Sequence, residues 1–239
     1  MKEKIKEKYT LDPSSGSRRI TAALNRDGAN VQRGLIRRLM KSMSLKGLCP
    51  KKRLSIPDES AHKFPYLLRD IEVIRPNQVW STDITYIITE RGHMYLTAII
   101  DVYSRKILTW ELSNSLSKEF CITCFNKAVL KYGAPEILNT DQGSQYTNAK
   151  FVETVLNSGS KLSMDGKGRC LDNIWIERFW RTIKYDFLFL YEFKGSLNLY
   201  KGIRWFICYY NDERCHSSLG HKTPNEVYET SSLTFKKIA

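Results

Sequence analysis

Three acidic residues occupy positions where an acid needs a reason. Asp83 lies in the middle of VWSTDITYI, whose β-branched and aromatic residues predict a strand. Aspartate is depleted from strands, and a lone buried carboxylate is costly unless something partners it. Asp141 follows EILNT and opens DQGSQYT. It therefore stands where a short strand runs into a glycine-containing loop, and open α/β sheets gather ligands and metals at such carboxyl ends. Glu177 lies in LDNIWIERFWRTIKYDF, where Ile176, Trp180, Ile183 and Phe187 form one apolar helical stripe. Glu177, Arg181 and Lys184 form a separate stripe at i, i+4 and i+7. Each acid has an ordinary explanation: Asp83 on a solvent face, Asp141 as a turn residue, Glu177 in a surface ion pair with Arg181. Together they are compatible with one convergent site. Three carboxylates at close range repel one another unless cations lie between them. Hard oxygen donors suit Mg²⁺ or Mn²⁺, and two ions about 3.5–4 Å apart can clamp a phosphodiester. Such chemistry needs no serine, tyrosine or cysteine nucleophile.

The elements that would position these acids follow one after another from residue 77 to residue 230. Val79–Thr89, His93–Tyr103 and Arg105–Leu112 predict three strands in an antiparallel meander. A helix over about 117–131 ends at Gly133, with Pro135 beyond it. A strand at 136–140, a helix at 148–157 and a strand at 160–164 follow. The segment DGKGRCLDN is expected as a loop, and helices at 173–190 and 196–211 complete the series. By analogy this order is that of an RNase H-like fold: a mixed five-stranded sheet flanked by helices, in the α/β class.

The front of the chain differs. Residues 1–75 carry 18 Lys+Arg and 8 Asp+Glu, a net of +10, out of +13 for all 239 residues. A polyanion is the expected partner of so basic a block; charge alone leaves DNA, RNA and an acidic membrane open. Residues 1–50 predict a small helical module. Ser17 is expected to cap a helix that Gly28 ends. A second helix, NVQRGLIRRLMKSM, places Val31, Leu35, Leu39 and Met43 on one stripe and Arg33, Arg37, Arg38 and Lys41 largely away from it. A tight turn and a basic second helix fit a helix-turn-helix, with a packing-only helical hairpin as the plain alternative. Residues 51–76, with three prolines and weak periodicity, are expected as a linker, and 231–239 as a tail. No apolar run long enough to span a membrane and no secretory leader is seen, so a cytoplasmic location is expected. Of six cysteines, Cys121 and Cys124 form a C-x-x-C inside a helical pattern, which reads as core rather than as a zinc site. Cys208, Cys215, His216 and His221 are a second weak cluster.

Four segments, WSTDITYI, NTDQGSQYT, SMDGKGRCLDNIWIERFWRTIKY and YYNDERCHSSLGHKTPNEVY, resemble the second-frame product of IS-three family insertion sequences. Thirty-five residues separate Asp141 from Glu177, the spacing of that family's D,D(35)E signature. SGSRRITAALNRDG and RLMKSMSLKGLCPKK resemble its N-terminal helix-turn-helix, so the likeness spans about residues 15–230. The resemblance implies a retroviral-integrase-like core that cuts and joins DNA, with Asp83, Asp141 and Glu177 as a triad for two Mg²⁺ (or Mn²⁺) ions. It implies that Lys184 contacts DNA near the cut, assisted by Arg178 and Arg181, while Gln142, Gly143 and Asn173 shape the site. Gly143 is expected to serve through its backbone freedom. Partners implied are transposon ends, target DNA, further copies of the chain and an upstream-frame helix-turn-helix product. The chain departs from the family at Cys215, where proline is usual, and in SSGSRRI, which lacks the usual aromatic before the glycine. Two other functions remain open on residues alone: a DNA-binding regulator without catalysis, and a nuclease for RNA–DNA hybrids.

Overall fold

The computed structural model describes residues 1–48, 64–90, 92–165 and 173–236. The expected linker at 51–63, the loop at 166–172, Cys49 and Cys170 lie outside them. The chain divides into two compact units, Met1–Pro57 and Asp58–Ala239.

The first unit holds α1 (Lys2–Leu11), α2 (Ser17–Arg26) and α3 (Arg33–Ser42). Ile5, Ile20, Leu24, Ile36 and Met40 form its core. Two expectations change here. Ser17 is the first helical residue, not the cap; Gly16 takes the cap position with extended backbone. The buried stripe of α3 is Ile36 and Met40, whereas Leu35 is exposed and Val31, Leu39 and Met43 are only partly buried. The apolar residues of α3 cover more than one face, and contact with α1 and α2 selects which of them is buried. Gly28 does end α2: its φ of +83° lets the Ala29 N–H reach the Leu24 carbonyl at 2.9 Å. Asn25 then clasps both the N–H and the carbonyl of Val31, at 2.6 and 3.0 Å, which fixes the turn into α3.

The second unit is built on five strands: β1 (Val79–Thr89), β2 (Gly92–Asp101), β3 (Ile107–Ser113), β4 (Ile137–Thr140) and β5 (Lys161–Met164). Their spatial order is β3-β2-β1-β4-β5. The first three pair antiparallel; β4 pairs parallel with β1, and β5 parallel with β4. Around the sheet stand α4 (Glu119–Tyr132), α5 (Ala149–Asn157), α6 (Ile174–Ile183), α7 (Ser196–Asp212) and α8 (Pro224–Lys236). This is the mixed five-stranded RNase H-like arrangement. Alternation along β1 sorts the two faces. Trp80 and Ile84 pack with α4 and α5 residues such as Phe125 and Phe151. Ile87 packs with Ile176, Phe179, Trp180 and Ile183 of α6 and with Ile203 and Phe206 of α7. Since strand side chains alternate, Asp83 shares the α6 face with Ile87.

Three further features bear on the site. Residues expected as linker at 66–73 contribute Leu68, buried against Val79, Val102 and Ile137. The expected helix at 173–190 is interrupted: after Ile183 a wide turn, Lys184–Leu188, takes over, with the Phe189 N–H on the Lys184 carbonyl at 2.9 Å. The helix α8 continues past position 230 to Lys236.

Candidate active site

Asp83 is half-buried on the α6 face of β1. The Trp180 indole N–H donates to its Oδ2 at 3.0 Å. Burial pushes its carboxyl up from 3.8 to about 6, and the negative charges of Asp141 and Glu177 push the same way. Hydrogen bonds from Trp180 and the Ile84 backbone oppose that rise. Trp180 was expected only as a core residue; its indole donates to an acid 97 residues away in the chain, a pairing that exists only because β1 and α6 pack together.

Asp141 follows β4, whose parallel pairing aligns Asn139 with Ser81 of β1. Asp141 stands two residues past that ladder, as Asp83 does on β1, and its charge acts on Asp83. Asp141 is half-buried, and burial raises its carboxyl pKa. The Gly143 N–H donates to its Oδ1 at 2.9 Å and lowers it in part. Gly143 is not among the residues with positive φ, so backbone freedom is not its role. A Cβ there would stand 2.9 Å from Asp141 Oδ1 and 3.2 Å from Oδ2: the glycine makes room for the carboxylate. Gln142 reaches from the same loop to the Asp165 carbonyl at 2.7 Å and ties the loop to the end of β5.

Glu177 sits in the first turn of α6 and is exposed. The start of that helix is anchored by Asn173, a residue only 3% exposed. Its Oδ1 accepts from the Ser81 hydroxyl, and its Nδ2 donates to the Thr82 carbonyl at 3.3 Å. Asn173 thus binds the Glu177 helix to the strand that carries Asp83. Losing such buried polar partners costs about 1–3 kcal/mol. Lys184 is half-buried; burial lowers its pKa, and the Asp83 charge acts against that fall. Arg178 and Arg181 are exposed on α6. In the other unit Arg33, Arg37, Arg38 and Lys41 are all exposed on α3.

The donor set of Asp83, Asp141 and Glu177 is all carboxylate oxygen, which fits a hard divalent cation. Both aspartates are half-buried, and the Asp141 charge adds to the cost of ionising Asp83, a cost that a cation between them would reverse. Among the described residues, no three His, Cys, Asp or Glu side chains stand close enough to enclose an ion. Glu177, the exposed member, is the one whose side chain has room to move. Another buried acid shows the contrast. Asp101 is fully buried, yet its oxygens accept from the Asn77 N–H and from the Ser104 N–H and hydroxyl at 2.6–2.8 Å. It holds the turn after β2 and needs no ion. Cys121 and Cys124 are buried in α4, with burial raising both thiols to about 12.

An integrase core domain matches residues 74–170 and a second integrase core domain matches 158–224; an HTH-like domain matches residues 1–53. The transposase for insertion sequence element IS904 of Lactococcus lactis subsp. lactis is 34% identical over 91% of this chain and 88% of its own length. The transposase InsK for insertion sequence element IS150 of Escherichia coli, described as putative, is 32% identical over 95% of this chain and 82% of its own. In fold, the chain is similar to the HTLV-2 integrase catalytic core domain in complex with magnesium, with a TM-score of 0.53 and 21% identity over 65% of this chain and 98% of that one. Among the described residues no helix is long and apolar enough to cross a membrane. With its HTH-like front and its integrase core, the chain belongs to the IS-three family of insertion-sequence transposases.

Proposed function

We propose that this transposase cuts and joins DNA at a site formed by Asp83, Asp141 and Glu177, which hold two Mg²⁺ or Mn²⁺ ions. The observation that supports this is at Asp83: burial raises its carboxyl to about 6, and the charges of Asp141 and Glu177 add to that rise. That coupling supports a common site for acids from a central strand, from the end of its parallel neighbour and from a helix on one face. Bound divalent cations would activate the attacking oxygen and stabilise the leaving one.

The residues of the chain do the rest. Trp180 and the Gly143 N–H each hold one oxygen of an aspartate and so fix its orientation. Asn173 sets the height of α6 against β1, and Glu177 turns inward to complete the donor set. Lys184 brings a positive charge beside Asp83 for the phosphate next to the cut, with Arg178 and Arg181 along the same helix. The first step is in-line attack of water on a phosphodiester at the element end, which releases a 3′-OH. The second is attack of that 3′-OH on a phosphodiester of the target. Both displace an oxygen at phosphorus, so one site serves both.

In this reading residues 1–50 are the DNA-binding module, with Arg33, Arg37, Arg38 and Lys41 of α3 facing phosphates, and residues 77–230 are the catalytic core. The segment between them joins the two, with Leu68 packed on the core, and α8 carries the core on past 230 to Lys236. The protein works in the cytoplasm on chromosomal DNA, as a homo-oligomer that holds two transposon ends and the target. An upstream-frame helix-turn-helix product joins it in end recognition. The test is incubation of labelled element ends with Mn²⁺, with and without that product. Wild type is expected to nick and join; Asp141→Asn is expected to bind the same DNA and do neither. Unchanged joining by Asp141→Asn removes Asp141 from the site, and binding without cutting by wild type makes the chain a regulator.

A further inference from the structure

The catalytic unit contains a second feature that the triad does not use. A cleft of about 740 Å³ opens between α6, the turn from β2 to β3, and the segment after α7. Four arginines (Arg105, Arg178, Arg181, Arg214) and two histidines (His216, His221) line it against one carboxylate, Asp186. That carboxylate is already paired with Arg214 at 2.8 Å. Of the three side-chain polar atoms buried without a hydrogen-bond partner among the described residues, two belong to residues that line this cleft: Arg214 Nε and His216 Nε2. Buried polar groups almost always find partners, so the Arg214 Nε–H calls for an acceptor, and His216 Nε2 can donate to the same acceptor once its ring is protonated.

The cations there work against one another. Burial and then Arg178 lower the pKa of Arg105; burial, Arg214 and Arg105 lower that of His216. Arg105 is also held at a φ of +66°, in the left-handed region that a long side chain rarely adopts. Its guanidinium lies 5.6 Å over the Trp175 ring. Aromatic rings interleave with the charges: Tyr210 meets the His216 ring edge-on at 4.8 Å, and exposed Tyr185 lies 5.9 Å from the Arg181 guanidinium. Cations beside an exposed ring such as Tyr185 are a surface that a DNA strand selects, phosphate on the cation and base on the ring.

We propose that this cleft is a second DNA-strand site, in which a backbone phosphodiester seats on Arg214 and His216 and an adjacent base stacks near Tyr185. The proposal rests on the DNA-processing reading above and deepens it: Arg178 directly follows Glu177, so the cleft adjoins the triad along α6 and guides the strand beyond the reacting linkage. A free phosphate group shares the first half of this chemistry, and the experiment separates the two.

The full chain, labelled with ¹⁵N at its four histidines, is titrated in chelator with a thymidine oligonucleotide of about twelve nucleotides. A parallel titration uses inorganic phosphate at matched ionic strength. The His216 ring signals are expected to move saturably with the oligonucleotide and not with phosphate at the same concentration. By fluorescence anisotropy, Arg214→Gln and, separately, His216→Gln are expected to weaken oligonucleotide binding about tenfold. An unmoved His216 at saturating oligonucleotide overturns the proposal, and equal saturation by phosphate alone overturns the strand assignment. The wild-type spectra decide the matter if a variant fails to fold. Since no metal is present, a chain unable to cut DNA can still pass, and a chain that cuts with His216 unmoved loses this site alone.

Discussion

Replacing Gly143 by alanine separates two explanations for a glycine beside Asp141, the acid proposed to be catalytic. Its φ is not positive, so alanine meets no backbone strain there. The added methyl would stand 2.9 Å from Asp141 Oδ1, 3.2 Å from Oδ2 and 3.4 Å from Cγ. An ordinary C···O approach is about 3.3–3.6 Å, so the carboxylate must withdraw by roughly 0.4–0.7 Å. That motion costs little stability, because the acid is a short side chain ending in a loop. Alanine also trims the freedom of the unfolded chain, worth about 0.4–1 kcal/mol in favour of folding. Catalytic groups, in contrast, tolerate only about 0.5 Å of misplacement, and about 1 Å costs on the order of a hundredfold. Gly143→Ala is therefore expected to cut element ends about 10–100-fold more slowly, a barrier increase of about 1.4–2.7 kcal/mol. Its melting temperature should stay within a few degrees of wild type. The assay is single-turnover nicking in Mn²⁺ alongside a thermal melt. Full activity in the folded variant, or a large fall in melting temperature that accounts for the loss, would refute the reasoning.

Other outcomes follow from the same geometry. Lys184→Ala should weaken binding to pre-cut ends and lower the salt slope by about one; an unaltered slope places Lys184 away from phosphate. The raised pKa of Asp83 means that the folded, metal-free protein holds this proton more tightly than the unfolded chain, so the associated stability is present below about pH 4 and lost as the pH rises through about 6. In chelator, Asp83→Asn should melt close to wild type at pH 4 and higher than wild type at pH 7; an equal gap at both pH values would contradict it. With both thiols raised to about 12, Cys121 and Cys124 should resist alkylation at pH 8 while exposed Cys208 and Cys215 react. Rapid modification of all four in the folded protein would show that α4 is not packed as described.

Much of the core was legible because its signals are periodic. The expected β1 matches Val79–Thr89 residue for residue, and the apolar stripe Ile176, Trp180, Ile183 and Phe187 is buried throughout. The stripe on α3 was misjudged because its apolar residues allow more than one face, and only tertiary contact chooses Ile36 and Met40. The role of Gly143 was hidden for a different reason: a glycine that yields space to a neighbour looks the same in sequence as one that turns the chain. Asn173 could be noticed as a motif position, but its anchoring of α6 to Ser81 and Thr82 joins residues about ninety positions apart. The buried Asp101 gives the converse lesson. An acid near a strand end is costly only when unpartnered, and its partners at Asn77 and Ser104 are visible only in three dimensions.

The wide turn at Lys184–Leu188 has a consequence for how this helix tolerates change. One extra residue in a single turn rotates everything after it by about 100° relative to an unbroken α-helix. Within that turn Phe187 stacks on Phe206 at 5.0 Å, and Phe187 and Leu188 are buried in the same core as Ile176, Trp180 and Ile183. The turn works as a mechanical coupling with play in it. Insertions, deletions and repacking downstream can be absorbed there as changes of phase, while the acid-bearing half keeps its seat on the sheet.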